Sequence, residues 1–297
     1  MSVTDPVVVL TYGPSGVGKT VDNGFSFPRA LFMAAPGALN SIQTTCGYTP
    51  ERVPVLDIAT ATQILGKVAK KYDTVVIDDF SFMAEQSFAK LEGKFNGFTL
   101  WGELRNLVLE LRDASRNSGV NVILNAWEQG PKKNAKGERV RGGPKLSGNL
   151  PEAMPAMCDV VLRAVHNAGR QPWPVVYQCS ADPGWVLKDR FNVVPLLQNA
   201  PMNLGEILRA AGLSLPRHPD YPGQEEQVEQ IARTFTGDPS QDAEQANTIF
   251  KALREKGQTH KQAYWTLRDA MDRAVIRAGL EAAQNTFISN PNPGLLV

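Results

Sequence analysis

The chain contains 297 residues, 42% of them hydrophobic, with 31 basic against 30 acidic side chains. This length is enough for one large core, or for a core domain with a smaller module. The balanced charge excludes a globally basic surface, so any nucleic-acid contact must come from a local patch. No apolar stretch reaches membrane-spanning length and no secretory signal is visible, so we expect a cytoplasmic protein without membrane contact. Three scattered cysteines lack the spacing of metal ligands and are expected to be reduced thiols.

From residue 7 to about 195, short β-type runs alternate with helical periodicity. This pattern predicts an α/β fold with a mostly parallel central sheet flanked by helices. The predicted strands are 7–12, 30–35, 53–58, 73–78, 120–126, 158–164, 174–179 and 184–188. A capping box from Thr60 to Gln63 predicts a helix start, and an apolar stripe over 100–111 predicts a helix that ends at Gly119.

The alternation of β-type runs and helical periodicity ends after residue 212. Residues 213–224 contain three prolines and are predicted to be a linker. Beyond them only helical spacing remains, and a second capping box, Thr259 to Gln262, opens a long helix. We therefore predict an α/β core at 1–212, a small C-terminal helical module at 225–288 and a flexible tail at 289–297.

The first predicted strand leads directly into a complete phosphate-binding loop. Its glycines let successive N–H groups point at phosphate oxygens, and the following helix adds its positive dipole end. Lys19 supplies a charge to the β- and γ-phosphates, and the Thr20 hydroxyl is the expected Mg²⁺ ligand. The predicted nucleotide-binding residues are Gly13, Pro14, Ser15, Gly16, Val17, Gly18, Lys19 and Thr20.

A second motif is the apolar run at 73–78, which ends in two carboxylates. Asp78 is predicted to hold Mg²⁺ through water beside Thr20, because such a strand ends at the edge of the sheet where the phosphate loop lies. Asp79 either caps the next helix or orients the attacking water. Asn125 and Glu128, after the next strand, either sense the γ-phosphate or make ordinary hydrogen bonds at a loop start.

The segment 131–148 carries six cations and one acid. We interpret it as a mobile loop that contacts a polyanion such as DNA, and the alternative is a solvated, disordered loop. The predicted DNA-binding residues are Lys132, Lys133, Lys136, Arg139, Arg141 and Lys145.

In a second loop, the rings of Phe95, Phe98 and Trp101 either stack on bases or pack against helices.

Lys188 and Arg190 are two residues apart on a predicted strand, so both point to one face. They are expected either to complete the charge stabilisation at a neighbouring subunit's γ-phosphate, as an arginine finger in trans, or to form a surface ion pair around Asp189.

The ordered set of motifs over residues 7–200 resembles the RecA superfamily, and within it the short phage-encoded ATPases that include single-strand annealing and recombination proteins. Lys188-Asp189-Arg190-Phe191 is similar to the Lys-Asn-Arg-Phe-Gly signature of RadA-type proteins. The resemblance implies a RecA-like core that hydrolyses ATP with Mg²⁺ in a ring or filament of identical subunits and holds single-stranded DNA in its central loops. It also matches the basic loop to the family's main DNA-contacting loop, and Lys188 and Arg190 to its inter-subunit cations.

One position departs from this family. After the second strand these proteins usually present an acid that activates water, whereas residues 34–38 carry no carboxylate. Asp79, Glu85 or Glu128 would have to substitute for it.

The first hypothesis, based on the resemblance and the basic loop, is an ATP-dependent DNA-binding protein of phage recombination or replication.

An alternative is an ATP-switched structural or assembly protein with weak hydrolysis, whose C-terminal helices bind a partner such as a phage or host replication or recombination protein. A small-molecule kinase is a third interpretation, in which the basic loop would serve as a lid.

Overall fold

The computed structural model describes residues 5–68, 71–134, 136–167, 175–179, 184–197, 199–216 and 225–289. The strands in these ranges are Val8–Gly13 (β1), Leu31–Ala34 (β2), Glu51–Pro54 (β3), Thr74–Asp78 (β4), Asn121–Gln129 (β5), Lys132–Lys133 (β6), Arg139–Val140 (β7), Gly143–Pro144 (β8), Val160–His166 (β9), Val175–Gln178 (β10), Lys188–Asp189 (β11) and Ala200–Pro201 (β12). The helices are Lys19–Ser26 (α1), Asn40–Cys46 (α2), Ile58–Leu65 (α3), Phe80–Glu92 (α4), Gly97–Asn117 (α5), Leu150–Met157 (α6), Val193–Leu196 (α7), Leu204–Ala210 (α8), Glu225–Ala232 (α9), Pro239–Glu255 (α10) and His260–Ser289 (α11).

The central sheet has the strand order β12-β10-β9-β1-β5-β4-β2-β3. From β9 to β3 all neighbours are parallel, and β10 and β12 extend the sheet with antiparallel pairs. β1 therefore lies between β5 and β9, and its last residue, Gly13, is in register with Trp127 of β5. The prediction of a mostly parallel α/β sheet flanked by helices is confirmed.

Both faces of the sheet are buried, as expected for parallel strands that are covered by helices on each side. Alternate residues of β1 enter two separate cores: Leu10 packs with the faces of α3 to α6, and Val9 packs with α2, α8 and α11. Side chains such as these are fully buried, which contributes about 1.5–3 kcal/mol each to folding.

Two local predictions are corrected by the structure. The helix at 58–65 is capped by Asp57, whose carboxylate accepts the Thr60 N–H at 2.8 Å, so Thr60 lies inside the helix and is not its cap. Asp57 lies closer to the end of β3 than Thr60 does, and its Oδ2 atom forms an ion pair with Lys90 Nζ at 2.7 Å.

The predicted strand at 184–188 is reduced to β11. Residues 184–186 bond instead to Gly142, which donates to the Gly184 carbonyl and accepts from Val186 N, both at 2.8 Å. This pairing with a distant segment removes them from the central sheet.

The C-terminal residues form α9, α10 and α11 around their own apolar cluster, which includes Val228, Phe235 and Met271. The capping box that opens α11 is present, since Thr259 N donates to Gln262 Oε1 at 2.9 Å and Gln262 N donates to Thr259 Oγ1 at 3.2 Å. Residues 217–224 of the predicted linker and 290–297 of the predicted tail lie outside the described residues.

α11 also packs against the core beside the phosphate loop. Trp265 stacks on Phe25 of α1 with ring centroids 4.7 Å apart, and its indole N–H donates to the Thr45 carbonyl at 3.2 Å. The guanidinium of Arg268 lies 5.1 Å from the Trp265 ring centre. The C-terminal helices are thereby joined to the helix that follows the phosphate loop.

Candidate nucleotide site and basic hairpin

The phosphate loop joins β1 to α1, and its glycines are required for two different reasons. Gly16 and Gly18 have φ angles of +79° and +107°, a backbone region that side chains disfavour. Gly13 is required by packing, because a Cβ there would lie 2.5 Å from the Ala164 carbonyl oxygen of β9. Lys19 Nζ donates to the carbonyls of Gly13 at 2.8 Å and Pro14 at 3.0 Å, so its ammonium lies within the loop.

The two predicted Mg²⁺ ligands meet at the end of β4. The Thr20 hydroxyl donates to Asp78 Oδ2 at 2.7 Å, and Asn125 Nδ2 donates to Asp78 Oδ1 at 3.2 Å. Burial raises the pKa of Asp78, while the hydrogen bonds from Thr20 and Asn125 and the charge of Lys19 lower it. Adjacent hydroxyl and carboxylate oxygens are hard ligands that suit Mg²⁺. The residues present therefore fit a nucleoside triphosphate with Mg²⁺.

Asn125 connects this pair to the phosphate-loop elements. Its Oδ1 accepts from Thr11 Oγ1 at 2.7 Å and from Asn23 Nδ2 at 2.8 Å. One buried amide thus bonds β1, α1 and the carboxylate of Asp78. A role for Asn125 as a γ-phosphate sensor stays a prediction.

Asp79 caps α4. Its Oδ1 accepts from Ser81 N at 2.8 Å and from Phe82 N at 3.4 Å, which confirms the capping interpretation. Burial raises the pKa of Asp79 to about 6, and the neighbouring Asp78 carboxylate acts in the same direction. Asp79 Oδ2 accepts no hydrogen bond from any described residue, so this oxygen remains available.

Glu128 forms a two-contact ion pair with Arg163 of β9. Arg163 Nε lies 2.6 Å from Glu128 Oε2, and Nη2 lies 3.2 Å from Oε1. The guanidinium stacks on Trp185 at 3.3 Å from the ring centre. Because β5 and β9 both flank β1, this pair joins them beside the start of the phosphate loop.

Arg163 was not among the site residues predicted from the sequence. The available signal was a charged residue near the end of the buried run at 158–164.

The position of the missing acid is now defined. Ala34 of β2 is in register with Asp78, so residues 35–38 follow at the same edge of the sheet without a carboxylate. Burial lowers the pKa of Lys19, and three nearby carboxylates oppose that effect. The largest opposing effect comes from Asp79, followed by Asp78 and then Glu128. The third suggested substitute, Glu85, is paired with Lys145 at 2.9 Å.

The basic segment forms a hairpin of β6 and β7 followed by β8, where we had predicted a mobile loop. β8 pairs with the end of β5, matching Glu128 with Pro144 and Gln129 with Gly143. Lys145 N also donates to the Trp127 carbonyl at 2.7 Å. Gly142 packs so closely on Trp185 that a Cβ would lie 2.5 Å from its ring.

The six predicted DNA-binding cations divide into two groups. Lys132, Lys133, Lys136 and Arg139 are exposed and have no ion-pair partner within the described ranges. The other two are paired: Arg141 with Glu152, and Lys145 with Glu85. Lys145 also lies over the Trp127 ring at 4.7 Å.

Lys188 and Arg190 lie beside the first residues of β9, at the end of β1 away from the phosphate loop. Lys188 Nζ donates to the Cys158 carbonyl at 2.8 Å and to the Pro155 carbonyl. Arg190 pairs with Asp159 at 2.7 Å, so the surface ion pair forms around Asp159 and not around Asp189. Asp189 instead accepts backbone N–H groups of Phe191 and Val194. A role in trans stays a prediction.

A family model described as an AAA domain matches residues 5–191, a range that includes the phosphate loop, Asp78 and the basic hairpin. The chain belongs to the AAA domain family. It is a P-loop ATPase domain, a class that binds nucleotide and usually uses Mg²⁺.

Among solved structures, the RadB recombinase is similar to this AAA domain chain. The two are 17% identical over 63% of this chain and 92% of that chain, with a TM-score of 0.36. A likeness at this level carries no argument about function. No curated protein matches the chain. None of the helices within the described ranges is long and apolar enough to cross a membrane.

Proposed function

We propose that this AAA domain protein hydrolyses ATP with Mg²⁺ and binds single-stranded DNA through its basic hairpin, as part of phage DNA recombination or replication in the host cytoplasm. The observation that carries the proposal is the attachment of the hairpin to β5. The same strand contributes Asn125, which bonds Asp78, and Glu128, whose charge acts on Lys19. β5 therefore connects the nucleotide site to a surface with four cations that have no ion-pair partner among the described residues.

The residues of the nucleotide site suit particular roles. Lys19 and the loop N–H groups would bind the phosphates, and Thr20 and Asp78 would hold Mg²⁺, which when bound neutralises charge on the phosphate oxygens. Asn125 orients Asp78 through the 3.2 Å hydrogen bond.

Among the three candidate acids, Asp79 is favoured as the group that accepts a proton from water. Both oxygens of Glu128 are bonded to Arg163, and Glu85 is paired with Lys145. Asp79 uses only Oδ1 for its cap, so Oδ2 is left to accept a proton while the cap fixes the carboxylate.

The assembly is proposed to be a ring or filament of identical subunits. Arg190 supports it, because its side chain is 57% exposed despite the ion pair with Asp159. The phage assignment is supported by the resemblance of the motifs over residues 7–200 alone.

A second candidate function is an ATP-switched assembly protein whose C-terminal helices bind a protein of replication or recombination. The contact of Trp265 with Phe25 favours it, because a movement of α1 on nucleotide binding would reach α11 directly.

The experiment that separates the two candidates compares ATP turnover of the purified chain with and without single-stranded DNA. The first candidate predicts stimulation by DNA that disappears in Lys19→Ala. Turnover that is indifferent to DNA, with wild-type activity otherwise intact, would favour the second.

A further inference from the structure

The junction of α4 and α5 exposes an unusual set of aromatic rings. Phe98, in the first turn of α5, is 95% exposed, Trp101 is 43% exposed and Phe95 is also exposed. Large apolar side chains that cluster at a surface typically mark a binding site. Phe98 makes little contact with the fold, so packing does not explain its side chain.

Two of these rings form the wall of a pocket of about 600 Å³. The α5 side contributes Phe98, Trp101 and Arg105, and the opposite side is formed by Ser147 and Gly148, which follow the hairpin strand β8. A volume of this size suits a small planar ligand. The pocket therefore lies between the aromatic junction and the segment that leaves the basic hairpin.

The ring of Trp101 is supported from two directions. Phe88 of α4 lies 5.0 Å away, centre to centre. Gly148, at φ +63°, approaches so closely that a Cβ would lie 3.2 Å from the ring. The ring is held in place while almost half of its surface stays exposed, which leaves an aromatic surface to stack on.

The charges around the pocket indicate what kind of ligand carries the planar group. Arg105, which lines the pocket, is exposed and has no ion-pair partner in the described part of the chain. Cations beside stacking rings are the combination with which proteins bind single-stranded nucleic acid, since the phosphates contact the cations and the bases contact the rings.

We propose that this pocket binds nucleobases of single-stranded DNA, with Phe98 and Trp101 as the stacking rings and Arg105 contacting an adjoining phosphate. This proposal rests on the proposed function and extends it. The hairpin binds phosphates regardless of sequence, whereas the pocket distinguishes a strand that carries bases from one that does not.

The test compares an oligothymidylate with an abasic strand of the same length, so that the phosphates are equal and only the bases differ. Fluorescence anisotropy measures both affinities for the full-length chain. We expect the wild-type chain to prefer the thymidylate strand, and Phe98→Ala or Trp101→Ala to reduce that preference by about fivefold to a hundredfold per stacked base. The slope of log affinity against log salt should stay unchanged, because no cation is removed.

Three controls make the result specific. Trp101→Phe retains a ring and should retain most of the preference. Leu56→Ala removes another exposed apolar side chain, one that does not line the pocket, and should change nothing. Phe98→Ala should melt at the wild-type temperature, because its side chain is almost fully exposed.

The outcomes separate this proposal from the proposed function. A wild-type chain that binds both strands equally overturns the base pocket and leaves DNA binding intact, whereas a chain that binds neither strand overturns both. If both ring variants keep the preference for the thymidylate strand, the base pocket is overturned. This holds even if light scattering shows that the variants have a different oligomeric state. An oligouridylate tests the sugar, and binding confined to that strand would overturn the assignment to DNA.

Discussion

The basic hairpin offers the most quantitative prediction, because in the part of the chain that the structure describes four of its six cations have no ion-pair partner and two are paired. A variant with Lys132, Lys133, Lys136 and Arg139 all changed to alanine removes the unpaired group. Each phosphate contact on a single strand contributes about 0.7 to the slope of log affinity against log salt, so four contacts contribute about 3. Over a fourfold rise in salt, the wild-type affinity should therefore fall about 50-fold more than that of the quadruple variant.

The matched control is the double variant Arg141→Ala with Lys145→Ala. These cations are already neutralised by Glu152 and Glu85, so we expect the slope to change by less than about one contact, 0.7. Anisotropy titrations of a labelled single strand at several salt concentrations measure both slopes. All four unpaired side chains are exposed, and the melting temperature of the quadruple variant should equal that of the wild type. An unchanged slope in the quadruple variant, or equal losses in the two variants, would refute the reasoning.

Three further predictions concern the nucleotide site and its supports. Asp79→Asn should abolish single-turnover ATP hydrolysis while nucleotide binding persists, because Asn caps α4 as well as Asp does but is a poor proton acceptor. Glu128→Gln should retain more activity, and the reverse order of the two activities would count against Asp79 as the base. Gly13→Ala should lower the free energy of unfolding in urea by about 1–3 kcal/mol, because the new Cβ meets the β9 backbone. The control Gly102→Ala, with open space around its Cβ in α5, should raise that free energy by about 0.5–1 kcal/mol. An unchanged free energy of unfolding in Gly13→Ala would contradict the packing. Trp265→Ala should cost about 3–5 kcal/mol because a buried ring is lost from the α1 contact, with Trp265→Phe costing less, and a loss under about 1 kcal/mol would show that α11 does not support α1.

The chemistry of the nucleotide site could be predicted from the sequence because it is local. The phosphate loop follows one strand directly, and Asp78 ends another, so only the parallel sheet has to be assumed to bring Thr20 and Asp78 to one edge. The cap at Asp79 is equally local, since its partners are two and three residues away.

The features that could not be predicted depend on strand order and on contacts between distant segments. Arg163 meets Glu128 only because β1 separates β9 from β5, and hydrophobic alternation does not specify that order. The strand expected at 184–188 is mostly absent because Gly142, more than 40 residues away, takes its backbone partners. The segment 131–148 was interpreted as a mobile loop because its local sequence does not reveal that Gly142 packs closely on the distant Trp185.

The contact between α11 and α1 was also beyond the sequence. The spacing of apolar residues predicted the helix, and it did not reveal that Trp265 and Arg268 pack on Phe25. Such a helix has two buried faces, one toward α9 and α10 and one toward the core, so its pattern does not identify which partner each face has.

We propose that β5 couples ATP hydrolysis to binding of single-stranded DNA. The most direct measurement is the steady-state ATP turnover of the full-length chain, with and without single-stranded DNA, at low and at moderate salt. We predict stimulation by DNA that weakens steeply as salt rises and is lost when Lys132, Lys133, Lys136 and Arg139 are all changed to alanine. Turnover that is the same with and without DNA at low salt would contradict it.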